Sequence, residues 1–415
     1  MNVQVSRNDC FYAGQPATYL VGPLERVLPP DLLKARLQTI AAAGPQNRLG
    51  LRPSRRSRHW DFDPACDGIM LTSGPAPDIS NPARAMLDLL AGGPAVPPAT
   101  VHVHIADRWL FLNFDHGLGG GRLFSEVIAA AGSEGHGFSE PAPVATTRNP
   151  GLRAFAHTVR KEPMRLLRAL DEPLRRSAAV IPVGQFDEPE SLAYARSRPG
   201  FLEEVRANRD ICLPRAPLAA IVLSAFLDGL RSHGITPEDE VGLLVDLGRY
   251  LPPGAGTLAN FVGIAPIQIA PPYDPALVAG AISQYTHGCR ALVRYGMAYA
   301  ARLRTRPADL PRWQTNSRRA RIVVTDHANS AAGSKISWAT TPGGHHFVRK
   351  APVRYSNQIS LAVNRVASEL HLTASYYAST FEPEAIAAVL DRIVAADSPL
   401  VRMGQSATLS SRTGR

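Results

Sequence analysis

Hydrophobic positions recur with helical and strand periods along most of the chain. Apolar residues between Asp31 and Ala43 repeat near the helical period, and the acidic residue at the start suits the exposed NH groups of a helix N-terminus. Between Thr100 and Phe114, TVHVHIADRWLFLNF, two β-rich runs flank a turn-prone Ala-Asp-Arg segment. We therefore predict a helix and, later, a hairpin whose second strand runs from Trp109 to Phe114.

A glycine-rich turn is predicted directly after this hairpin. The strand ends at Asp115-His116, and the next residues, GLGGG, are unsuited to the interior of a strand or a helix. Arg122 to Ala131 then has the composition and the apolar spacing of a helix. The order strand, turn, helix places His116 beside a loop whose backbone can approach a ligand closely.

A second set of elements follows a stretch rich in Pro, Gly, Ser and charge, which includes a helical patch from Leu152 to Leu170. Helices are predicted from Pro217 to His233, with an apolar face that suits the core, and from Pro383 to Ala396. The strands predicted between them are Val241–Leu247, Phe261–Ile269, Arg321–Thr325, Gln358–Val363 and Glu369–Tyr376.

We interpret Arg176 to Gly200 as the crossing between two lobes. Residues 1–180 then form an N-terminal lobe that carries His116, and residues 181–403 form a C-terminal lobe. Residues 404–415 form a polar tail that we expect to be disordered.

Composition narrows the class of protein. A chain of 415 residues that is 45% hydrophobic and 19% charged can bury two cores of about 200 residues each. The most apolar segment, Leu213 to Leu230, is too polar to span a bilayer, and no secretory signal is apparent at the start. Four widely spaced cysteines fit no disulfide framework. We expect a cytoplasmic protein.

The net charge of +10 comes almost entirely from arginine. It favours anionic partners, such as coenzyme phosphates, an acidic carrier protein or nucleic acid. Nucleic acid is disfavoured, because no basic run is interleaved with aromatic residues and no zinc-finger spacing is present. The basic pieces Arg52 to Arg58 and Arg302 to Arg321 are interpreted as solvated faces, though either could meet coenzyme phosphates or a carrier protein.

Two further sequence patterns could indicate a nucleotide-binding loop or a zinc site. The glycine run fits neither GxxxxGK[ST] nor GxGxxG, which disfavours a nucleotide loop. His102 and His104 alternate on one strand face, a spacing that can ligate zinc, but no third ligand is identifiable. We interpret them as exposed strand histidines and predict no metal site.

Leu110 to Ile128, LFLNFDHGLGGGRLFSEVI, resembles the HHxxxDG region of condensation domains, wax-ester and polyketide-associated acyltransferases and chloramphenicol acetyltransferase. In this alignment Asp115 and His116 take the two histidine positions. Gly120 and Gly121 take the positions of the aspartate and the glycine, and serve as structural motif residues.

The resemblance continues in order over roughly residues 15 to 400. Val245 to Pro252, VDLGRYLP, resembles the "vDlRrylp" stretch of the second lobe, and Leu258 to Pro266, LANFVGIAP, resembles the "GNfvn" strand. Ile359 to Leu390 resembles the last strand pair, the turn and the final helix of the family.

The resemblance implies an α/β (α+β) fold of two chloramphenicol acetyltransferase-like lobes. Each lobe would be a mixed sheet with flanking helices, and a channel between them would reach His116 from both sides. It further implies an acyltransferase of secondary metabolite or lipid biosynthesis. The donor would be acyl-CoA or a phosphopantetheinyl carrier protein and the acceptor a small alcohol or amine, with no tightly bound cofactor. We expect a monomer that can bind an acyl or peptidyl carrier protein.

Neutral imidazole accepts a proton near pH 7, so His116 is the predicted general base. Asp115 is predicted to bind substrate or tune the imidazole; the alternative is that it caps the turn. Asn260, Asn329 and Ser330 are candidate substrate contacts and donors to the oxyanion, because the resemblance brings their segments toward the channel.

Two departures from the family pattern keep a second function open. Gly120 removes the aspartate of the motif, and Gly248 stands where many relatives have arginine. Losing one partner of a buried ion pair costs about 3–5 kcal/mol, whereas losing both can be nearly neutral. The alternative to an enzyme is a catalytically degenerate module that binds a carrier protein or recruits a partner enzyme. The altered motif supports it, and the retained His116 opposes it.

Overall fold

Two mixed sheets form the framework of the protein. The computed structural model describes residues 1–93, 100–132, 145–146, 149–171, 182–304, 312–326, 336–340 and 344–401. The N-terminal part contains strands β1 Asn2–Gln4, β2 Pro16–Gly22, β3 Leu51–Arg52, β4 His59–Phe62, β5 Ile69–Ser73, β6 Val101–Ala106, β7 Trp109–Asp115 and β8 Ala145–Thr146. Its helices are α1 Arg7–Tyr12, α2 Pro30–Ala42, α3 Pro82–Gly92, α4 Gly121–Gly132, α5 Pro150–Lys161 and α6 Pro163–Asp171.

The C-terminal part repeats the mixture of strands and helices. Its strands are β9 Pro182–Gln185, β10 Ser191–Arg196, β11 Pro237–Asp246, β12 Ala255–Gly256, β13 Val262–Gln268, β14 Trp313–Thr315, β15 Ala320–Asp326, β16 His346–Lys350, β17 Gln358–Val366 and β18 Glu369–Tyr376. Its helices are α7 Phe201–Cys212, α8 Leu218–Ser232, α9 Pro275–His287, α10 Arg290–Arg304 and α11 Pro383–Val394.

The sheet of the N-terminal lobe has the order β16-β2-β7-β6-β5, and that of the C-terminal lobe has the order β10-β18-β17-β15-β11-β13. Both sheets contain parallel and antiparallel pairs. Each packs against helices through its own apolar core: Phe114 and Phe124 belong to the first core, and Phe226 and Leu361 belong to the second. The predicted two-lobed α/β fold is confirmed.

Helix bounds follow the sequence pattern closely. The helices predicted around residues 31–43, 122–131, 217–233 and 383–396 are α2, α4, α8 and α11. The helical patch predicted from Leu152 to Leu170 consists of two helices, α5 and α6. They are separated at Glu162, because the residue before a proline avoids the helical region.

One strand crosses between the lobes. β16 comes late in the chain, yet it pairs antiparallel with β2, with His346 opposite Gly22 and Lys350 opposite Thr18. The N-terminal sheet therefore includes a strand from residues that the sequence assigned to the C-terminal lobe. The proposed crossing, Arg176 to Gly200, is described only from residue 182 onward, where it contains β9 and β10, and β10 belongs to the C-terminal sheet. The proposed tail at 404–415 lies outside the described residues.

None of the described helices combines the length and the apolar character needed to cross a bilayer.

Candidate active site between the two lobes

His116 lies where β7 leaves the N-terminal sheet. Every residue of β7 is buried, and the chain then makes a short 3-10 turn, His116–Leu118, before α4 begins. The backbone NH of His116 donates to the carbonyl of Gln15, at 2.7 Å. The predicted order of strand, glycine-rich turn and helix is therefore observed.

Asp115 holds this turn through both carboxylate oxygens. Oδ1 accepts a hydrogen bond from the backbone NH of Gly117 at 2.8 Å, and Oδ2 accepts one from Gly14 at 2.9 Å. The side chain is 3% exposed, and burial raises its pKa to about 6. Asp115 is absent from the lining of the cavity described below. The carboxylate therefore caps the turn, as in the alternative interpretation, and a role in substrate binding stays a prediction.

Asn260 holds the same turn from the C-terminal lobe. Its Nδ2 donates to the carbonyl of His116 at 2.6 Å and lies 3.5 Å from Oδ1 of Asp9. Asp9 also accepts from the backbone NH of Asn260, at 3.0 Å. Both Nδ2 hydrogens therefore have acceptors within the protein, and the side chain of Asn260 holds the turn that carries His116. Asn260 also lines the cavity described below, and its contact with substrate stays a prediction.

A buried ion pair completes the support of the turn. Arg48 lies 3.1 Å from Asp9, donates to the carbonyl of Gly117 at 3.2 Å and also donates to the carbonyl of Leu118. Asp9 is in turn held by the capping box of α1, with Ser6. The peptide groups that follow His116 are thus fixed by the side chains of Asp115, Asn260 and Arg48, which come from three separate segments.

The ring of His116 has a defined tautomer. Its Nδ1 lies 3.1 Å from the carbonyl oxygen of Gly119. A carbonyl oxygen can only accept, so Nδ1 carries the proton and Nε2 carries the lone pair. The ring stacks on Tyr12 at a centroid distance of 4.6 Å and meets the ring of Phe124 at 5.9 Å.

The electrostatic surroundings keep the imidazole neutral. Burial, together with the positive charges of Arg349 and Arg354, lowers the pKa of His116 to about 4. At pH 7 the ring is therefore in the form that a general base requires.

His116 faces a cavity of about 1860 Å³ that is lined by both lobes. The N-terminal wall includes Tyr12, His116 and Gly120, and the opposite wall includes Asn260 and residues of β11 and β13. Ten arginines and four carboxylates are among the described residues of the lining, so the cavity is cationic. Some of these charges are paired, as in the contact of Arg365 with Asp326 at 3.0 Å.

The two departures from the motif both lie at this cavity. Gly120 lines it, and a Cβ atom added there would meet no atom closer than 3.9 Å. Gly121 begins α4 and also lines the cavity. Gly248 lies across the same space, in the short turn capped by the side chain of Asp246. The altered motif therefore leaves room beside His116.

Gly119 has a different constraint. A Cβ atom added there would collide with the carbonyl oxygen of Leu258, in the C-terminal lobe. The glycine is therefore required by the close approach of the two lobes at the turn.

The remaining predictions concern two candidate substrate contacts and two strand histidines. Asn329 and Ser330 lie outside the described residues. The interpretation of His102 and His104 as exposed is wrong: His102 is 3% exposed, and both rings are 2.9 Å from Oγ1 of Thr72 on the neighbouring strand. Among the described residues, no group of histidine, cysteine and acidic side chains could hold a metal ion.

Sequence reasoning missed Tyr12, Arg349 and the pair of Arg48 with Asp9. The capping-box spacing of Ser6 and Asp9 could have indicated a helix start, but no local signal connects that helix with His116. Arg349 reaches the site only through the pairing of β16 with β2.

No family model and no curated protein matches the chain. Solved structures do match it. The cyclization-docking bidomain of the nonribosomal peptide synthetase EpoB from Sorangium cellulosum is 14% identical, with a TM-score of 0.60 over 97% of this chain and 84% of that chain. The condensation domain of the Monacolin K polyketide synthase MokA is 11% identical, with a TM-score of 0.62 over 99% and 98%. The first condensation domain of the CDA synthetase is 13% identical, with a TM-score of 0.58 over 97% and 96%. The chain therefore has the two-lobed condensation-domain fold that the sequence motifs predicted.

Proposed function

We propose that the protein is an acyltransferase that moves an acyl group from a thioester to a hydroxyl or amine, with His116 as the general base. The observation that carries this proposal is the neutral His116 ring at the interlobe cavity, with its Nδ1 proton directed to the carbonyl of Gly119. This arrangement leaves the Nε2 lone pair for an incoming acceptor.

The proposed reaction needs no covalent acyl-enzyme. The acceptor oxygen or nitrogen forms a bond to the thioester carbonyl carbon while Nε2 takes its proton. The resulting tetrahedral oxyanion collapses, the carbon–sulfur bond breaks, and the imidazolium returns the proton to the leaving thiolate. The products are an ester or amide and a thiol.

The support around His116 suits this role. Fixed positions for the base and the reacting groups supply much of the rate enhancement in such reactions. The hydrogen bonds of Asp115, Asn260 and Arg48 fix the turn from both lobes.

The cationic cavity supports the proposed donors. Coenzyme A and the phosphopantetheine arm of a carrier protein both carry phosphate, which arginine binds through charge-assisted hydrogen bonds. The similar structures include condensation domains and a cyclization-docking bidomain, which favours a carrier-bound donor.

A binding module without catalysis is the second candidate, and the glycine at position 120 favours it. Without the aspartate of the motif, one charge beside the histidine turn is missing. The turn nevertheless keeps its hydrogen bonds through Asp115, Asn260 and Arg48, which favours the enzyme.

The test measures thiol release from a panel of acyl-CoAs and acyl-loaded carrier proteins, each with alcohol and amine acceptors. Acceptor-dependent release by wild type that His116→Ala abolishes, with an unchanged circular dichroism spectrum, is the expected result. Carrier-protein binding without release from any donor would instead support the binding module.

A further inference from the structure

Arg349 is a buried cation on the same sheet as His116. It lies on β16, directly opposite Tyr19 of β2, which in turn pairs with Leu112 of β7. Paired residues of neighbouring strands share a face, and side chains alternate along a strand. Leu112 and Phe114 of β7 therefore share the face of Arg349, and His116 follows where β7 ends, within reach of the charge of Arg349.

The guanidinium of Arg349 lacks an anionic partner among the described residues. The residue is 7% exposed, and its Nη1 is buried with no hydrogen-bond partner in the described part of the chain. The guanidinium lies over the face of the Tyr19 ring, 5.5 Å from the centroid. Burying a charge without an anionic partner is unfavourable. An anion that binds beside Arg349 would therefore be stabilised by the guanidinium.

Arg349 also lines the cavity that contains His116. A second arginine of the lining, Arg354, lies 4.8 Å over the ring of Phe11 and donates to Oε1 of Gln15 at 3.2 Å. The positive charges of Arg349 and Arg354 both lower the pKa of the His116 ring. The wall beside the base is thus positive and partly aromatic.

We propose that Arg349 binds a carboxylate of the acceptor, so that the acceptor is a carboxylate-bearing alcohol or amine that is not attached to a carrier. This inference rests on the proposed acyl transfer and names its substrate class. An acceptor loaded on a carrier has that carboxyl converted to a thioester, and it would leave Arg349 without an anion.

Carboxylate fits this position better than phosphate. One carboxylate neutralises one guanidinium and can receive two parallel N–H hydrogen bonds. The phosphate of a pantetheine arm is separated from the thioester by the whole length of the arm. It therefore cannot lie beside His116 while the thioester carbon is also there.

The first experiment measures binding and stability with Arg349→Met, and uses Arg84→Met as the matched control, since Arg84 is an exposed arginine paired with Asp88. The probes are straight-chain carboxylates from butyrate to octanoate and the corresponding uncharged primary amides.

We expect the carboxylates, and not the amides, to raise the melting temperature of wild type and of the control. Arg349→Met should lose this response and melt higher than wild type without ligand, because an unpaired buried charge is removed. A purely structural arginine would give a lower melting temperature on substitution.

The second experiment compares acceptors in pairs, a hydroxy acid with its carboxamide. Wild type should prefer the acid by about tenfold or more in kcat/KM, the range expected for a charged hydrogen bond, and Arg349→Met should abolish the preference. Equal use of acid and amide by wild type would overturn the inference while acyl transfer stands. If Arg349→Met instead slows acid and amide equally, the arginine acts on the oxyanion and the inference is wrong.

The two proposals can fail separately. If carboxylates bind in a way that depends on Arg349 but no donor releases thiol, the anion site is supported and acyl transfer is refuted. No carboxylate response in wild type would refute the anion site, whatever the thiol-release assay shows.

Discussion

The acid titration of His116 gives the sharpest quantitative prediction. Burial and the charges of Arg349 and Arg354 lower the pKa of this histidine from the ordinary value of 6.5 to about 4. If Nε2 is the base, lowering the pH from 7 to 5 should leave the chemical step almost unchanged, because the ring stays neutral over that range.

The size of the effect follows from the two pKa values. At pH 5, a histidine with a pKa of about 4 is about 90% neutral, whereas one with a pKa of 6.5 is about 3% neutral. The two cases differ about 30-fold in the rate of a step that needs the neutral ring.

The same shift makes a stability prediction. Because the unfolded chain takes up the proton first, the free energy of unfolding should fall as the pH drops below 6.5 and level off below about 4. Lowering the pKa of His116 from 6.5 to about 4 on folding corresponds to about 3 kcal/mol of stability. His116→Gln should lack this part of the pH dependence.

Single-turnover thiol release from pH 4 to 8, with a hydroxyl acceptor that does not itself titrate, measures the kinetic effect. Imidazole NMR of His116 in wild type and Arg349→Gln measures the pKa directly, and it should rise when the arginine charge is removed. A wild-type rate that falls with a midpoint near 6.5, with an NMR pKa near 6.5 in both proteins, would refute the reasoning.

Other predictions concern the support of the turn. Asp9→Asn leaves Arg48 buried without its partner, so urea denaturation should show a loss of about 3–5 kcal/mol, largely recovered by adding Arg48→Met; equal losses in both proteins would contradict this. Gly119→Ala places a Cβ against the carbonyl of Leu258 and should cost about 1–3 kcal/mol with reduced turnover, whereas Gly120→Ala, with open space, should change little. Similar melting temperatures for the two alanine variants would contradict the close approach of the lobes.

Local pattern predicted the elements that carry the site. The buried strand β7, the glycine turn and α4 follow from β-rich residues, glycine and helical apolar spacing, all within Trp109 to Gly132. The placement of His116 needed no information from elsewhere in the chain.

The side chains and peptide groups around His116 come from residues that are far away in the sequence. The local pattern of hydrophobic and polar residues carries no information about these contacts. Asp115 could cap the turn or bind substrate, and the choice depends on the NH of Gly14, about 100 positions earlier. Asn260 could be assigned to the channel but not to the carbonyl of His116. Arg349 enters through a strand pairing between residues more than 300 positions apart. The burial of His102 likewise depends on what covers its face of the sheet, which alternation along one strand cannot show.

Chemical rescue tests the central claim most directly. His116→Gly removes the base and leaves a space next to Tyr12, against which the ring stacks. With an acyl thioester and an acceptor that support wild-type turnover, we predict that the variant releases almost no thiol and that added imidazole restores release, in proportion to its neutral form. Full thiol release by His116→Gly without imidazole would contradict the assignment of His116 as the general base.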